Sequence, residues 1–175
     1  MNFINSGDSY LVNKQQLIEH LNLEAHPEGG FFKETYRSQV FIDNLQDFNG
    51  PRNCSTSIYF LLTEDSKSHL HRIKSDEVWH FYEGNPLRIV MLSPEGDYSE
   101  KILGKNLEQG QEYQFVVPAG YWFGSEVIEG GSYSLVGCTV APGFDFNDFE
   151  MADKQQMIKD FPKHSDFLKR FCINK

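Results

Sequence analysis

Short segments of alternating apolar and polar residues fill the middle of the chain. Between residues 55 and 141, β-branched and aromatic residues form short runs that are separated by turns rich in Gly, Pro, Asn and Asp. With one more segment near the N-terminus, the predicted strands are 31–38, 55–62, 68–73, 77–83, 87–92, 98–103, 113–117, 121–127 and 133–140. Consecutive strands without helices between them predict an all-β fold, either an antiparallel sandwich, a jelly roll or a barrel.

Helices are predicted only near the two ends of the chain. Residues 13–21 predict a helix, because Asn13 and Gln16 match a capping box and an apolar stripe follows them. Near the C-terminus, residues 151–161 and 165–171 show the helical pattern on either side of a proline.

The length of the chain predicts a single domain over residues 1–175, because it suits one hydrophobic core. We place the barrel core at about residues 30–146 and the C-terminal helices at about residues 150–172, from the change of pattern after the last strand.

Composition limits the classes of binding partner and the cellular compartment that we expect for the protein. The 16 basic and 25 acidic residues give a net charge of -9 without a basic cluster, which argues against nucleic acid and anionic membranes as partners. No apolar run approaches the ~20 residues that span a bilayer. Residues 1–8 lack the basic and apolar regions of a secretory signal, and the three cysteines lack CxxC spacing. We therefore expect a cytoplasmic protein with reduced thiols.

The candidate chemistry centres on two histidines and a carboxylate. His69 and His71 are separated by one residue on a predicted strand, so both are expected to point to the same side. Glu77, on the next predicted strand, can add a carboxylate oxygen. Imidazole nitrogens and carboxylate oxygens bind divalent transition metals, so these residues predict either a metal site or a polar acid/base pocket. A divalent metal is thus a possible cofactor.

Aromatic side chains are predicted to form a wall beside this polar group. Trp79 shares the parity of Glu77 and is expected to face the barrel interior. Trp122 and Phe123 follow the turn 118–120 at the predicted barrel mouth, and one of the two should face inwards. These aromatic residues are therefore candidates for binding a small-molecule ligand.

The strand 31–38 offers two interpretations. Glu34 and Tyr36 lie on one of its faces, where they would line the pocket or contact a second subunit. Tyr59 is a further candidate for ligand binding. Because the strand carries large residues on both faces, an exposed edge here would favour pairing with another chain, and we predict a homodimer.

Several motifs resemble those of the cupin superfamily. His69-Leu70-His71, Glu77 and Gly84 are similar to its first motif, and Gly110 with 118–120 is similar to its second. In this resemblance, the position of a metal-binding histidine in the second motif falls on Phe123, which implies an incomplete metal site.

Longer blocks cover nearly the whole chain and resemble the cupin-5 family, whose function is unknown. These blocks are residues 26–38, 57–62, 71–72, 76–80, 117–120 and 135–146. The resemblance implies a cupin double-stranded β-helix of the dTDP-sugar epimerase type, usually dimeric and without an agreed substrate. It also implies that His71 is the histidine shared with the family.

Three functions remain open at the level of sequence. The first is an isomerase or epimerase acting on a small polar, sugar-like molecule, in which His71 removes a proton and Glu77 orients it. The phenol of Tyr36 or Tyr59 would return the proton. The second is a metal-dependent oxygenase or lyase that uses His69, His71 and Glu77. The third is a barrel that binds a small ligand without catalysis.

Overall fold

The alternating segments fold as strands that pair into two main sheets. The computed structural model of the protein describes residues 13–173. Its strands are β1 (Glu24–Ala25), β2 (Phe31–Arg37), β3 (Phe41–Ile42), β4 (Arg52–Asn53), β5 (Thr56–Thr63), β6 (Lys67–Arg72), β7 (Asp76–Gly84), β8 (Leu87–Leu92), β9 (Tyr98–Leu103), β10 (Gln114–Val117), β11 (Trp122–Val127), β12 (Tyr133–Ala141) and β13 (Glu150–Met151). The helices are α1 (Lys14–Leu21), α2 (Lys154–Asp160) and α3 (Ser165–Phe171).

The two main sheets face each other and enclose the core. One sheet has the order β1-β2-β5-β12-β7-β10 and the other has the order β13-β6-β11-β8-β9, while β3 and β4 form a separate pair. All the strand pairs are antiparallel, as in a jelly-roll barrel. The core between the sheets includes Phe60, Trp79, Val136 and Phe123, which are at most 1% exposed. The predicted all-β jelly roll is therefore confirmed.

The helices cover the outer faces of the barrel. In the predicted capping box, the Asn13 side chain accepts a hydrogen bond from the Gln16 backbone, and the Gln16 side chain accepts one from the Asn13 backbone. Leu17 of α1 then packs on the outer face of the first sheet. Leu168 and Phe171 of α3 pack against the second sheet. The outer face of each main sheet is thus partly covered by a helix, and the barrel interior remains for a site.

The structure differs from the predicted elements at short strands. Strand β4 lies in a segment where no strand was predicted, and it pairs with β3. The predicted helix 151–161 begins later, at Lys154, because the side chain of Asp153 caps that turn. Met151 instead belongs to β13, which pairs with β6. Two-residue strands have too short a pattern to be recognised in the sequence.

None of the helices within residues 13–173 is long and apolar enough to cross a membrane. Residues 1–12 contain the segment from which the lack of a secretory signal was predicted, and that prediction lies outside the described residues. The two ends of the predicted 1–175 domain, residues 1–12 and 174–175, also lie outside the described residues.

Candidate functional site

A cavity of about 280 Å³ lies inside the barrel. The first sheet provides most of its wall, including Glu77 and Trp79 from β7, and the second sheet contributes His71 from β6. Glu34 of β2 also lines the cavity. The structure thus brings four of the predicted site residues to one cavity.

A carboxyl group that the sequence did not single out lies next to His71. Glu28 belongs to the loop before β2, and its Oε2 atom is 3.2 Å from His71 Nε2 and 3.4 Å from His26 Nδ1. The hydroxyl of Ser68 donates a hydrogen bond of 2.8 Å to Glu28 Oε1. The side chains of Glu28, His26 and His71 are at most 8% exposed, so this polar cluster is largely buried and borders the solvent only through the cavity.

The hydrogen bonds indicate which atom of this cluster holds a proton. His71 Nδ1 is 2.8 Å from the carbonyl oxygen of His69, and a carbonyl can only accept, so Nδ1 carries the hydrogen. The Nε2 lone pair of a neutral His71 then faces Glu28. His26 Nδ1 accepts the backbone N–H of Glu28 at 3.3 Å, so its lone pair also lies near Glu28 Oε2. A protonated Glu28 carboxyl satisfies this arrangement.

Burial favours the uncharged form of all three groups. It raises the pKa of Glu28 well above its ordinary 4.5, and the nearby carboxyl of Glu77 adds to this effect, whereas the Ser68 hydroxyl opposes it. Burial also lowers the pKa of His71 to about 3 and that of His26 to about 4. The cluster is therefore uncharged, with its proton on Glu28.

Glu77 is a second buried carboxyl, and it titrates in a different range. Burial raises its pKa to about 7, while the Cys138 thiol and the Trp79 indole act weakly against this. The indole N–H lies near Glu77 without reaching hydrogen-bond geometry, so the buried Nε1 of Trp79 has no hydrogen-bond partner in the described part of the chain. The cavity thus contains one carboxyl that changes charge near neutral pH and one indole donor available to a ligand.

A β-bulge separates the two histidines that were expected to act together. His71 pairs with Phe123 and Ser68 pairs with Ser125, so β6 has two residues where β11 has one. The alternation is broken there, and both Ser68 and His71 turn towards Glu28. The backbone N–H and the ring Nδ1 of His69 instead lie 2.8 Å from the carbonyl oxygen of Glu28.

This bulge corrects the predicted metal site. His69 supports the Glu28 loop and is not part of the cavity wall, so His69, His71 and Glu77 do not converge as a ligand set. Among residues 13–173, no group of three or more His, Cys, Asp or Glu side chains is placed to hold a metal ion.

Three of the predicted ligand-binding or catalytic aromatics lie outside the barrel interior. Tyr36 is 54% exposed at the edge of the sheet. Tyr59 lies on the outer face beside Tyr82, because the inward positions of β5 belong to its neighbours in the chain. Trp122 packs with the C-terminal helices, and the Arg72 guanidinium lies 4.4 Å from its ring. None of the three is therefore brought to the cavity.

Phe123 is the member of the Trp122/Phe123 pair that faces inwards, as the sequence predicted for one of them. Its ring centroid is 4.1 Å from that of His71 and 6.3 Å from that of Trp79. It packs against both rings and is not itself part of the cavity wall. The position where the resemblance expected a metal-binding histidine is therefore occupied by a buried aromatic ring.

The loop that contains His26 and Glu28 is held against β6 by two glycines. Gly29 has a φ angle of 109° and Gly30 one of 74°, which other residues rarely adopt. A Cβ atom on Gly29 would collide with the backbone carbonyl of Lys67. A histidine and a glutamate directly before two glycines and a strand were the signal in the sequence for this part of the site.

The fold and the cavity together define the class of jelly-roll barrels with an interior site. The chain belongs to the family described as "Cupin superfamily (DUF985)", whose sequence pattern matches residues 15–152. This membership confirms the resemblance found in the sequence.

The chain is also similar to individual proteins. It is 31% identical over 156 residues to the uncharacterized protein YML079W of Saccharomyces cerevisiae, covering 83% of this chain and 78% of that protein. A hypothetical protein from Leishmania major has a TM-score of 0.87 at 37% identity, and protein SO0799 from Shewanella oneidensis has a TM-score of 0.85 at 40% identity. Each alignment covers 93% of this chain and 99% of the other. The names of these proteins describe no activity.

Proposed function

We propose that the protein binds a small polar molecule in the barrel cavity and moves a proton on it, as an isomerase or epimerase does. The observation that carries this proposal is the presence of two distinct proton-holding groups, Glu77 and the Glu28–His71 pair, around one cavity. A core built only for packing avoids buried carboxyls and imidazoles, because their desolvation is costly.

Glu77 is the group we assign to proton removal. Its pKa of about 7 makes both its acid and its carboxylate forms available near neutral pH, which suits a general acid or base. The neighbours that lower its pKa are a thiol and an indole, both weak partners for a carboxylate. Its oxygens therefore remain available to a ligand.

The Glu28–His71 pair supplies the second proton position. In the proposed step, the Glu77 carboxylate takes a proton from a carbon next to a carbonyl group, and the electron pair moves to the carbonyl oxygen. The Glu28 carboxyl then returns a proton to carbon, and the Ser68 hydroxyl donates a hydrogen bond to the carboxylate that remains. Proton exchange with solvent restores both groups. The reaction has no net oxidation or reduction and uses no cofactor.

This assignment differs from the one based on sequence. His71 was expected to remove the proton, but its Nδ1 and Nε2 atoms face His69 and Glu28 inside the protein. A phenol was expected to return it, but Tyr36 and Tyr59 are not part of the cavity wall. Both roles therefore pass to carboxyl groups.

A barrel that binds its ligand without catalysis is the second candidate. It is favoured by one observation: both oxygens of Glu28 already contact Ser68 or a histidine inside the protein. In that case the cluster would only shape the cavity, and the ligand would leave unchanged.

The first experiment identifies the ligand and tests the cavity. Native mass spectrometry of the purified protein, followed by denaturation, releases and identifies any small molecule that it carries. Wild type and the control Glu95→Gln, an exposed glutamate in a turn, should retain it. His71→Ala and Glu77→Gln should lose it. Full retention by both cavity variants would contradict the proposal.

The second experiment separates catalysis from binding. The released molecule is incubated in D₂O with each protein, and NMR follows replacement of a carbon-bound hydrogen by deuterium. Wild type and Glu95→Gln should catalyse exchange, and Glu77→Gln should be slower by a factor of about 100 or more. Binding without exchange in wild type would favour the non-catalytic candidate.

A further inference from the structure

Carboxyl groups outnumber the lysine and arginine side chains around the cavity. Its wall contains the carboxyl groups of Glu28, Glu34, Glu77 and Asp145. Among the lining residues that the structure describes, Arg37 is the single lysine or arginine. The whole chain carries a net charge of -9, which also repels anions at long range.

The guanidinium of Arg37 is already occupied by protein groups. Its Nε and Nη2 atoms donate to the two oxygens of Glu34 at 3.0 and 2.7 Å. Its Nη1 atom donates to Asn53 Oδ1 at 2.9 Å and to the Phe144 carbonyl at 3.1 Å. Four of its five N–H groups thus donate to protein atoms. An anionic ligand would have to displace Glu34 to take over the paired contact, and the freed carboxylate would then repel it.

The remaining wall suits a ligand with an apolar face and a few polar groups. Phe32, Phe60 and Phe144 provide aromatic surface. The buried Trp79 Nε1–H completes no hydrogen bond with any residue that the structure describes, although it lies close enough to Glu77 to lower the pKa of that carboxyl. A volume of about 280 Å³ lies at the small end of ligand pockets, which typically measure ~300–1,000 Å³. A nucleotide-linked sugar would not fit inside.

We infer that the ligand is a small uncharged molecule that combines an apolar face with hydrogen-bonding groups, and that phosphorylated or carboxylated compounds are excluded. The inference rests on the proposed function, because it takes the barrel cavity as the binding site. It departs from the sugar nucleotides that the dTDP-sugar epimerase resemblance would suggest. The physical reason is that burying an anion without a free cation carries a desolvation penalty of several kcal/mol.

The test compares probes that differ in charge and hardly in shape. Benzamide and benzoate form such a pair, and both are small enough for the cavity. Trp79 and Trp122 are the two tryptophans of the chain, and Trp122 lies outside the cavity. In the Trp122→Phe background, fluorescence titration therefore reports on Trp79 in the cavity wall. The titrations are made at pH 6, where benzoate is ionised and Glu77 is mainly protonated.

Benzamide should bind at least about tenfold more tightly than benzoate, a difference of ~1.4 kcal/mol. Glu34→Gln should narrow this gap, because it frees the Arg37 guanidinium, whereas the exposed control Glu95→Gln should leave the gap unchanged. Benzoate binding as tightly as benzamide in the background protein would overturn the inference while leaving the cavity as the binding site. If neither probe changes the Trp79 signal, the proposed function fails, and the inference fails with it.

Discussion

His71 Nε2 lies 3.2 Å from Glu28 Oε2, and both side chains are almost fully buried. The two residues come from a strand and from a loop that are far apart in the sequence. Because His71 Nδ1 donates to a backbone carbonyl, its other nitrogen can only accept unless the ring is charged. One proton is therefore held between these two residues, at an almost fully buried position in the cavity wall.

Stability should depend on pH through Glu77. Its pKa is raised from 4.5 to about 7 in the folded protein, so the folded state holds this proton more tightly than the unfolded state. The stabilising contribution is complete below pH 4.5 and is lost as the pH rises towards 7. The side chain introduced by Glu77→Gln does not titrate, so the variant lacks this pH-dependent loss of stability. Relative to wild type, the variant should gain about 2 to 3 kcal/mol of unfolding free energy between pH 5 and pH 8.

Urea unfolding at several pH values measures this difference. Comparison with wild type cancels the opposite contributions of His26 and His71, whose lowered pKa values destabilise the fold at acid pH in both proteins. The unfolding free energy of the control Glu95→Gln should vary with pH in the same way as that of wild type. If the unfolding free energy of Glu77→Gln also varies with pH as that of wild type does, the pKa of Glu77 is not raised by folding.

The Glu28 loop should depend on Gly29. Gly29→Ala places a Cβ against the Lys67 carbonyl at a φ angle of 109°, so we expect a loss of about 3 kcal/mol or more. Gly130→Ala is a matched control, because Gly130 has a φ angle of 87° and no atom within 4 Å of its added Cβ. That variant should lose about 1 kcal/mol. Equal effects in urea unfolding would mean that the close contact with β6 is unimportant.

Most of the barrel could be predicted because its strands are long enough to show alternation. β8 and β9 begin and end where the pattern placed them, and the parity of Glu77 and Trp79 on β7 is kept. The capping box of α1 is a local signal and was equally reliable. The two-residue strands, such as β4, form only because a partner segment folds against them.

The site was harder to predict because it depends on a bulge and a loop. Alternation places His69 and His71 on one side, but one extra residue in β6 removes His69 from the cavity. Glu28 lies among turn residues, where no period shows whether a side chain is buried. Its burial results from the contact of that loop with β6, which is a tertiary interaction.

Metal binding should be weak and independent of His69. Since the His69 ring contacts the Glu28 carbonyl, His69→Ala should remove a hydrogen bond and about 1 kcal/mol of stability without changing metal content. Protein purified without chelator or added metal should contain well below one metal ion per chain by elemental analysis. A full equivalent of metal in wild type that is lost in His69→Ala would contradict this, and would restore His69 as a ligand.

The protein should form a homodimer through the edge of β2. Strand β1 pairs only with Phe31 and Phe32, so among the described residues the outer edge of β2 has no strand partner from Lys33 onwards. Tyr36 is 54% exposed on this edge, and an open strand with a large aromatic residue favours pairing with another chain. Light scattering at micromolar concentration should therefore give about twice the chain mass of 20.2 kDa.

A charge on this edge tests which surface is used. Tyr36→Lys should shift the protein towards the monomer, because pairing would bury the new ammonium group. Tyr113 is 52% exposed next to β10, at the opposite edge of the same sheet, so Tyr113→Lys is a matched control that should leave the dimer intact. A monomer mass for wild type would refute the dimer. A dimer that survives Tyr36→Lys but dissociates in Tyr113→Lys would place the interface at β10, because only the edge that is buried between subunits is sensitive to an added charge.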